Sequence, residues 1–210
     1  MTFIVLAILA ALLIWVLMQL FKKSSAERRA APAPGPDLAN LKVTDARAGD
    51  VISVTGVGDN FTDLDFTADR HTRFDAGAHP WFELSGRYQE RRVALRVAGD
   101  EELELALHND ARKLTLEDLG MAEEDLAQMD ERQNTADSFE FDGAVWLYRR
   151  SREVKAWSDG QSPSGAFYYW EFQEQGGKRL LAIRKVEGEP FAVTLYTGIP
   201  EGDVTVYRGR

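Results

Sequence analysis

The stretch DNFTDLDFTADRH places Asp59, Asp63, Asp65 and Asp69 within eleven residues of one another. Asp63, Asp65, Thr67 and Asp69 stand at positions 1, 3, 5 and 7 of a calcium-binding loop. Such a loop also needs a glycine at position 6 and a bidentate glutamate at position 12, and this chain has Ala68 and Phe74 there. The pattern reads instead as acidic residues on the solvent face of an alternating strand, with Phe61 and Phe66 packing nearby. His71, His79 and His108 are the three histidines. Their spacing matches no helical metalloprotease motif, and His79-Pro80 reads as a strand entry. GVGDNF lacks both the phosphate-loop lysine and a full dinucleotide fingerprint, so Gly56 and Gly58 read as turn residues. Ser162 and Ser164 in SDGQSPSG lack the strand-serine-helix elbow of hydrolases. The absence of cysteine removes thiol nucleophiles and thiolate metal sites. We therefore expect no metal, no cofactor and no catalytic residue.

The densest chemistry is aromatic. FYYWEF alternates Phe167, Tyr169 and Glu171 with Tyr168, Trp170 and Phe172. A strand apolar on both faces is normally covered on both sides, so the plain reading is core. Tyr and Trp also dominate binding hot spots, so Tyr168, Tyr169 and Trp170, with Trp81 and Phe82, are the candidate binding residues. Glu83 and Glu171 occupy equivalent places in the repeat described next and read as duplicated surface residues.

Two stretches, RRVALRVAGDEELELAL and RLLAIRKVEGEPFAVTL, align without a gap at an offset of 88 residues. Each alternates, turns at a glycine and alternates again, which is a hairpin. The apolar phase matches over about 60 positions, and such self-similarity marks a repeat. The expected strands are 50–57, 61–68, 81–88, 91–97 and 102–108, then 138–147, 149–158, 165–173, 179–187 and 191–197, with 203–207 closing. Between them, Thr115 and Asp118 resemble a capping box for one helical turn. A short helix is expected over 122–131, with Leu126 and Met129 on one face. The fold expected is mainly β: two related small barrel- or sandwich-like units, 46–120 and 136–210, joined by a helical connector at 121–135.

Residues 1–21 carry no charge before Lys22. About 20 apolar residues match a hydrocarbon core of roughly 30 Å. A cleaved signal peptide is the competing reading, but the positive leading segment it requires is missing. Lys22, Lys23, Arg28 and Arg29 follow the apolar run and place its far side in the cytoplasm. The expectation is a single-pass cell-membrane protein, with a basic collar and Pro/Ala-rich linker at 22–45. The formal charge is −9. Residues 1–40 hold four cations against two carboxylates, leaving +2, so the remainder carries −11. That balance argues against nucleic-acid binding.

AGDVISV, YYWEFQEQGGKRLLAIRKVEGEPFAVTLY and IPEGDVTVY resemble the bacterial domain-of-unknown-function family 4178, over residues of about 46–207. The resemblance implies no catalytic residues. It implies a setting among membrane-stress systems, beside phage-shock-protein-A-like membrane-remodelling proteins, small multi-pass membrane proteins and polyamine-synthase-like enzymes. The function expected is a non-enzymatic interaction or sensing module held at the membrane. The alternative is an enzyme or small-ligand receptor using a cleft between the two β units. A third reading is a structural protein assembling through exposed strand edges.

Overall fold

The computed structural model describes residues 41–99, 102–158 and 164–209. Eleven strands run β1 (Val51–Val54), β2 (Leu64–Asp75), β3 (Trp81–Tyr88), β4 (Arg91–Ala98), β5 (Glu104–His108), β6 (Ser138–Phe141), β7 (Ala144–Ser158), β8 (Ser164–Glu174), β9 (Arg179–Lys185), β10 (Ala192–Ile199) and β11 (Val204–Tyr207). One helix, α1 (Glu123–Arg132), lies between β5 and β6. Among these residues no helix is long and apolar enough to cross a membrane. The apolar segment 1–21, its basic collar and most of the linker lie outside the described residues.

All strand pairs are antiparallel. The order β2-β3-β4-β5-β10-β9-β8-β7 closes on itself through a β2–β7 pairing, giving an eight-stranded barrel. The two seams, Leu107 opposite Thr197 and Thr72 opposite Ser158, join the first half of the chain to the second. β1 and β11 extend the sheet from the first part of β2, and β6 extends it from the first part of β7. Strands related by the 88-residue offset hold equivalent places: β1 and β6, β3 and β8, β4 and β9, β5 and β10. The Asp142-Gly143 hairpin between β6 and β7 has both residues left-handed, φ 54° and 70°. That backbone suits the twist of the flanking strands, and an Asp-Gly pair adopts it readily.

Three apolar clusters hold the sheet together. One gathers Ile52, Val54, Leu64, Phe66, Leu84, Val93, Leu95 and Val97 from the first half. A second gathers Leu126 and Met129 of α1 with Trp146, Tyr148, Phe172, Leu181 and Ile183 from the second half. The third draws Phe74, Trp81, Ala106, Val154, Phe167, Tyr169, Leu180 and Tyr196 from seven of the eight ring strands. In a closed sheet, a cluster drawn from nearly every strand lies inside the barrel.

The two halves are therefore not two separate barrels. Each curls around its own core, but its opposite face is also largely apolar, as Trp81 and Tyr169 show. Four strands cannot cover both of their faces, and the two halves close on each other to do it. β6 and β7 also differ from expectation. The turn falls at Asp142-Gly143, not near Tyr148, and β7 runs unbroken for fifteen residues.

The connector behaves as its sequence implies. Thr115 and Asp118 bond reciprocally, the carboxylate accepting from the Thr115 N–H at 2.7 Å and its hydroxyl at 2.9 Å, but they close a turn rather than a helix. α1 starts where the Asp125 carboxylate accepts the Ala122 N–H at 2.8 Å. Glu123, Glu124 and Asp125 then complement its dipole.

Candidate functional site

The site arises from an interruption of alternation in β7. Tyr148 lies opposite Phe172 and Arg150 lies opposite Glu171, so Arg149 has no partner on β8. An extra residue of this kind reverses the facing of everything after it. Trp146 and Tyr148 point into the second core. Beyond the bulge, residues of the same parity change sides: Val154 packs inside the barrel, and Arg150 and Arg152 share its phase. The bulge thus brings consecutive arginines, Arg149 and Arg150, to one carboxylate.

That carboxylate is Glu171. It stands on β8 two residues from Tyr169, inside the barrel, and is fully buried. Its Oε2 lies 3.0 Å from Arg96 Nη2, while its Oε1 lies 3.0 Å from Arg150 Nη2 and 3.4 Å from Arg149 Nη1. The Arg96 side chain is 5% exposed, and those of Arg149 and Arg150 are 31% and 24% exposed. Glu83 lies opposite Arg96 in the β3–β4 register and accepts from the Tyr196 hydroxyl at 2.9 Å. The Arg96 guanidinium also stacks 5.0 Å from the Trp81 ring centre. Glu171 is thus an interior residue and not a surface one, while Glu83, in the same phase, is half-buried. A closed barrel turns one phase of every strand away from water, and both glutamates lie in that phase.

The charges perturb one another. Burial opposes ionisation of Glu171, but Arg96, Arg150 and Arg149 outweigh it and hold its carboxyl below the ordinary range. Burial likewise works against the Arg96 charge, yet Tyr169, Glu171, Tyr196 and Glu83 raise its pKa above the usual value. Arg152 goes the other way: burial, then repulsion by Arg150, pull its pKa down. Its Nη1 donates to the Ala76 carbonyl at 3.3 Å. The Nε of Arg152, the Nε of Arg96 and the Tyr169 hydroxyl are buried without a hydrogen-bond partner. Burial raises the Tyr169 phenol well above its ordinary range.

Three surface clefts meet here, and Arg149 lines all of them. The largest, about 780 Å³, is bounded by Ala76, His79, Leu147, Arg150, Arg152 and Gln173, among others. A second of about 370 Å³ reaches Arg96, Lys178 and Leu180. A third of about 300 Å³ reaches Arg96, His79 and Glu104. Arginines of this density in an acidic chain make a local anion-attracting surface between the two halves.

The residues singled out from sequence fall in several places. Trp81 and Tyr169 are inside the barrel, their rings 5.0 Å apart, and back the arginine site. Phe82 packs against the first core. Trp170 is buried in the second. Tyr168 packs against the second core, and its hydroxyl donates to Asp130 of α1 at 2.7 Å. Burial and that hydrogen bond push its phenol up to about 12. The five do not form one exposed face. Three of the four aspartates of the calcium-like stretch are individually engaged: Asp59 pairs with Arg91, Asp69 with Arg92, and Asp63 accepts the Gly56 N–H. The His71 ring lies 4.9 Å from that of Phe82, tilted by 42°, and His108 Nδ1 lies 3.0 Å from the Leu195 carbonyl oxygen. Among the described residues no group of histidines and carboxylates is arranged to hold a metal ion.

Sequence reasoning passed over Arg96, Arg149, Arg150 and Arg152. The available signal was RRSRE inside a strand, where a run of cations would have to face something other than solvent. No family model, no curated protein and no solved structure matches the chain.

Proposed function

We propose that the domain is a non-enzymatic receptor for an anionic ligand, bound in the clefts where its two halves meet. The observation that carries this reading is the convergence of Arg96, Arg149, Arg150 and Arg152 around the fully buried carboxylate of Glu171. Cations gathered beyond the number of their carboxylate partners create a field for an anion. Glu171 is committed to three arginines, and Ser151, the serine lining the largest cleft, is tied to Asp130 of α1 and to Tyr148; groups held in structural bonds favour binding over turnover. Of the three readings expected from sequence, the one that places a small-ligand receptor in a cleft between the halves has the strongest support.

The sequence supplies the rest of the proposal. The apolar run 1–21 would anchor the chain in a cell membrane as a single pass. The basic collar after it places the β domain on the cytoplasmic side, and the Pro/Ala-rich linker sets its reach. The resemblance to family 4178 would set such a receptor beside membrane-remodelling partners of the phage-shock-protein-A kind, or small multi-pass membrane proteins, to which occupancy could be reported. The test is calorimetric titration of the detergent-solubilised full chain with phosphate, sulfate, citrate and acetate at low and high salt. Saturable, salt-weakened binding that is lost in Arg149→Ala supports the receptor. Absence of saturable binding by every anion, with the protein folded, overturns it.

A further inference from the structure

Resting on the receptor reading, we propose that the group recognised is a phosphate monoester in its dianionic form. The local charge points to a dianion. Arg96, Arg149, Arg150 and Arg152 supply four positive charges, and Glu171 and Glu83 supply two negative ones among the interior groups. Glu104 lies 3.8 Å from Arg149 but is 56% exposed, so water screens most of its effect. Two positive charges are left without an internal partner. A monocarboxylate cancels one of them, and a phosphate monoester carries close to −2 at neutral pH.

The donors agree with the charge. Glu171 already occupies Arg96 Nη2 and the Nε and Nη2 of Arg150. Arg152 is different: its Nε is buried with no partner, although it lines the largest cleft. Arg149, 31% exposed, reaches Glu171 and Gln173 only through Nη1, at 3.4 Å and 3.5 Å. These two guanidinium groups stand on the same short stretch of β7, on either side of Arg150. A phosphoryl group with three acceptor oxygens can take bonds from both, where a carboxylate offers two oxygens. The cleft of about 780 Å³ is the size of a small-molecule site, and Ala76 and Leu147 provide apolar wall for an organic remainder.

The same chemistry is presented by a soluble organic phosphate and by the headgroup of a phosphate-monoester lipid, and the test separates them. The full chain in detergent is titrated with phenyl phosphate, benzenesulfonate, benzoate and phthalate. In parallel, vesicles containing a phosphate-monoester lipid or only phosphodiester lipids are offered to the reconstituted chain. Phenyl phosphate is expected to bind at least about tenfold more tightly than the monoanions, a difference of ~1.4 kcal/mol. Its affinity should rise as pH climbs through about 6, where the second phosphate proton leaves. Arg152→Lys keeps the charge and removes the fork, so it is expected to erase the preference for phenyl phosphate over phthalate. Tighter capture by monoester vesicles than by phenyl phosphate would assign the lipid source, and the reverse would assign the soluble one. Equal affinity for benzoate and phenyl phosphate overturns the dianion proposal and leaves the anion receptor standing. Failure of all four compounds and both vesicles overturns both. If Arg152→Lys does not fold, the pH dependence of phenyl phosphate against benzenesulfonate decides alone.

Discussion

Replacing Glu171 by glutamine removes one charge and almost no volume, and it isolates what the buried carboxylate does. In the parent, Arg96 is 5% exposed and faces Glu171 Oε2 at 3.0 Å. Two unit charges about 4 Å apart attract by roughly 4 kcal/mol at an effective dielectric near 20. Removing one partner of such a pair leaves the other buried and uncompensated, which typically costs ~3–5 kcal/mol. Arg149 and Arg150 also lose their counter-charge, but at 31% and 24% exposure water takes over part of it. The loss therefore falls mainly on Arg96, and Glu171→Gln is expected to destabilise by about 3–5 kcal/mol. For a domain of this size that is a fall of roughly 10 °C in Tm. Urea unfolding followed by circular dichroism measures it directly, since guanidinium would compete with the arginines. The double variant Glu171→Leu/Arg96→Met, apolar on both sides, should recover much of the loss. A change of less than ~1 kcal/mol in Glu171→Gln, the size of an exposed pair, would refute the view that this network is energetically buried.

Further expectations follow from the same interior. Because the Glu171 carboxyl lies below its ordinary range, its contribution is fully present above the unfolded value of about 4.3 and is lost as pH falls through the lower folded value. The urea-unfolding stability of Glu171→Gln should therefore fall less steeply than that of the parent as pH drops below about 4. Tyr168, raised to about 12 by burial and by Asp130, contributes stability that is present below its unfolded pKa of about 10 and lost as pH rises through the folded value. In Asp130→Asn, ultraviolet titration should show one tyrosine ionising at lower pH; an unchanged titration would remove the Asp130 bond as a cause. Asp130→Ala also strips an acceptor from Ser151, Tyr168 and Gln133, and a loss of about 1–3 kcal/mol is expected in urea unfolding. Gly86→Ala would set a Cβ against the Thr67 carbonyl oxygen and 2.7 Å from the Phe66 ring. A loss of at least about 1–3 kcal/mol is expected from that overpacking, and an unaltered urea midpoint would contradict the close β2–β3 approach.

The strands were legible because one phase of each is uniformly apolar. Trp81–Tyr88 emerges over the expected residues, and Arg91–Ala98 extends one residue beyond the expected end. The 88-residue offset also survives as equivalent strand positions. What alternation cannot convey is closure. A strand apolar on both faces reads as covered, but nothing local says that the cover is the other half of the same chain. The site was hidden for the same kind of reason. A bulge at Arg149 is one residue of slippage, and reading β7 without it places Arg150 and Arg152 on the side of Trp146 and Tyr148. Glu171 looked like a surface residue because its type is usually exposed, and its partners lie 21 and 75 residues away. The aromatics were conspicuous by composition, yet the structure uses most of them to fill space.

The barrel's seams also order events in time. β1 is completed only by β11, where Val51 faces Tyr207 and the Asp50 carboxylate accepts from Arg208 and the Gly209 N–H. Ile199 and Val206, from the last strands, belong to the core of the first half. On a ribosome adding about 5–20 residues per second, the first half waits several seconds for the residues that seal it. Its contacts close loops of well over a hundred residues, so nucleation by local structure is slow. During that interval the interior faces of β3 and β4, with Trp81 and Arg96, are open to water and to other chains. The closure of one half on the other thus leaves the nascent first half with an uncovered apolar face until its second half arrives.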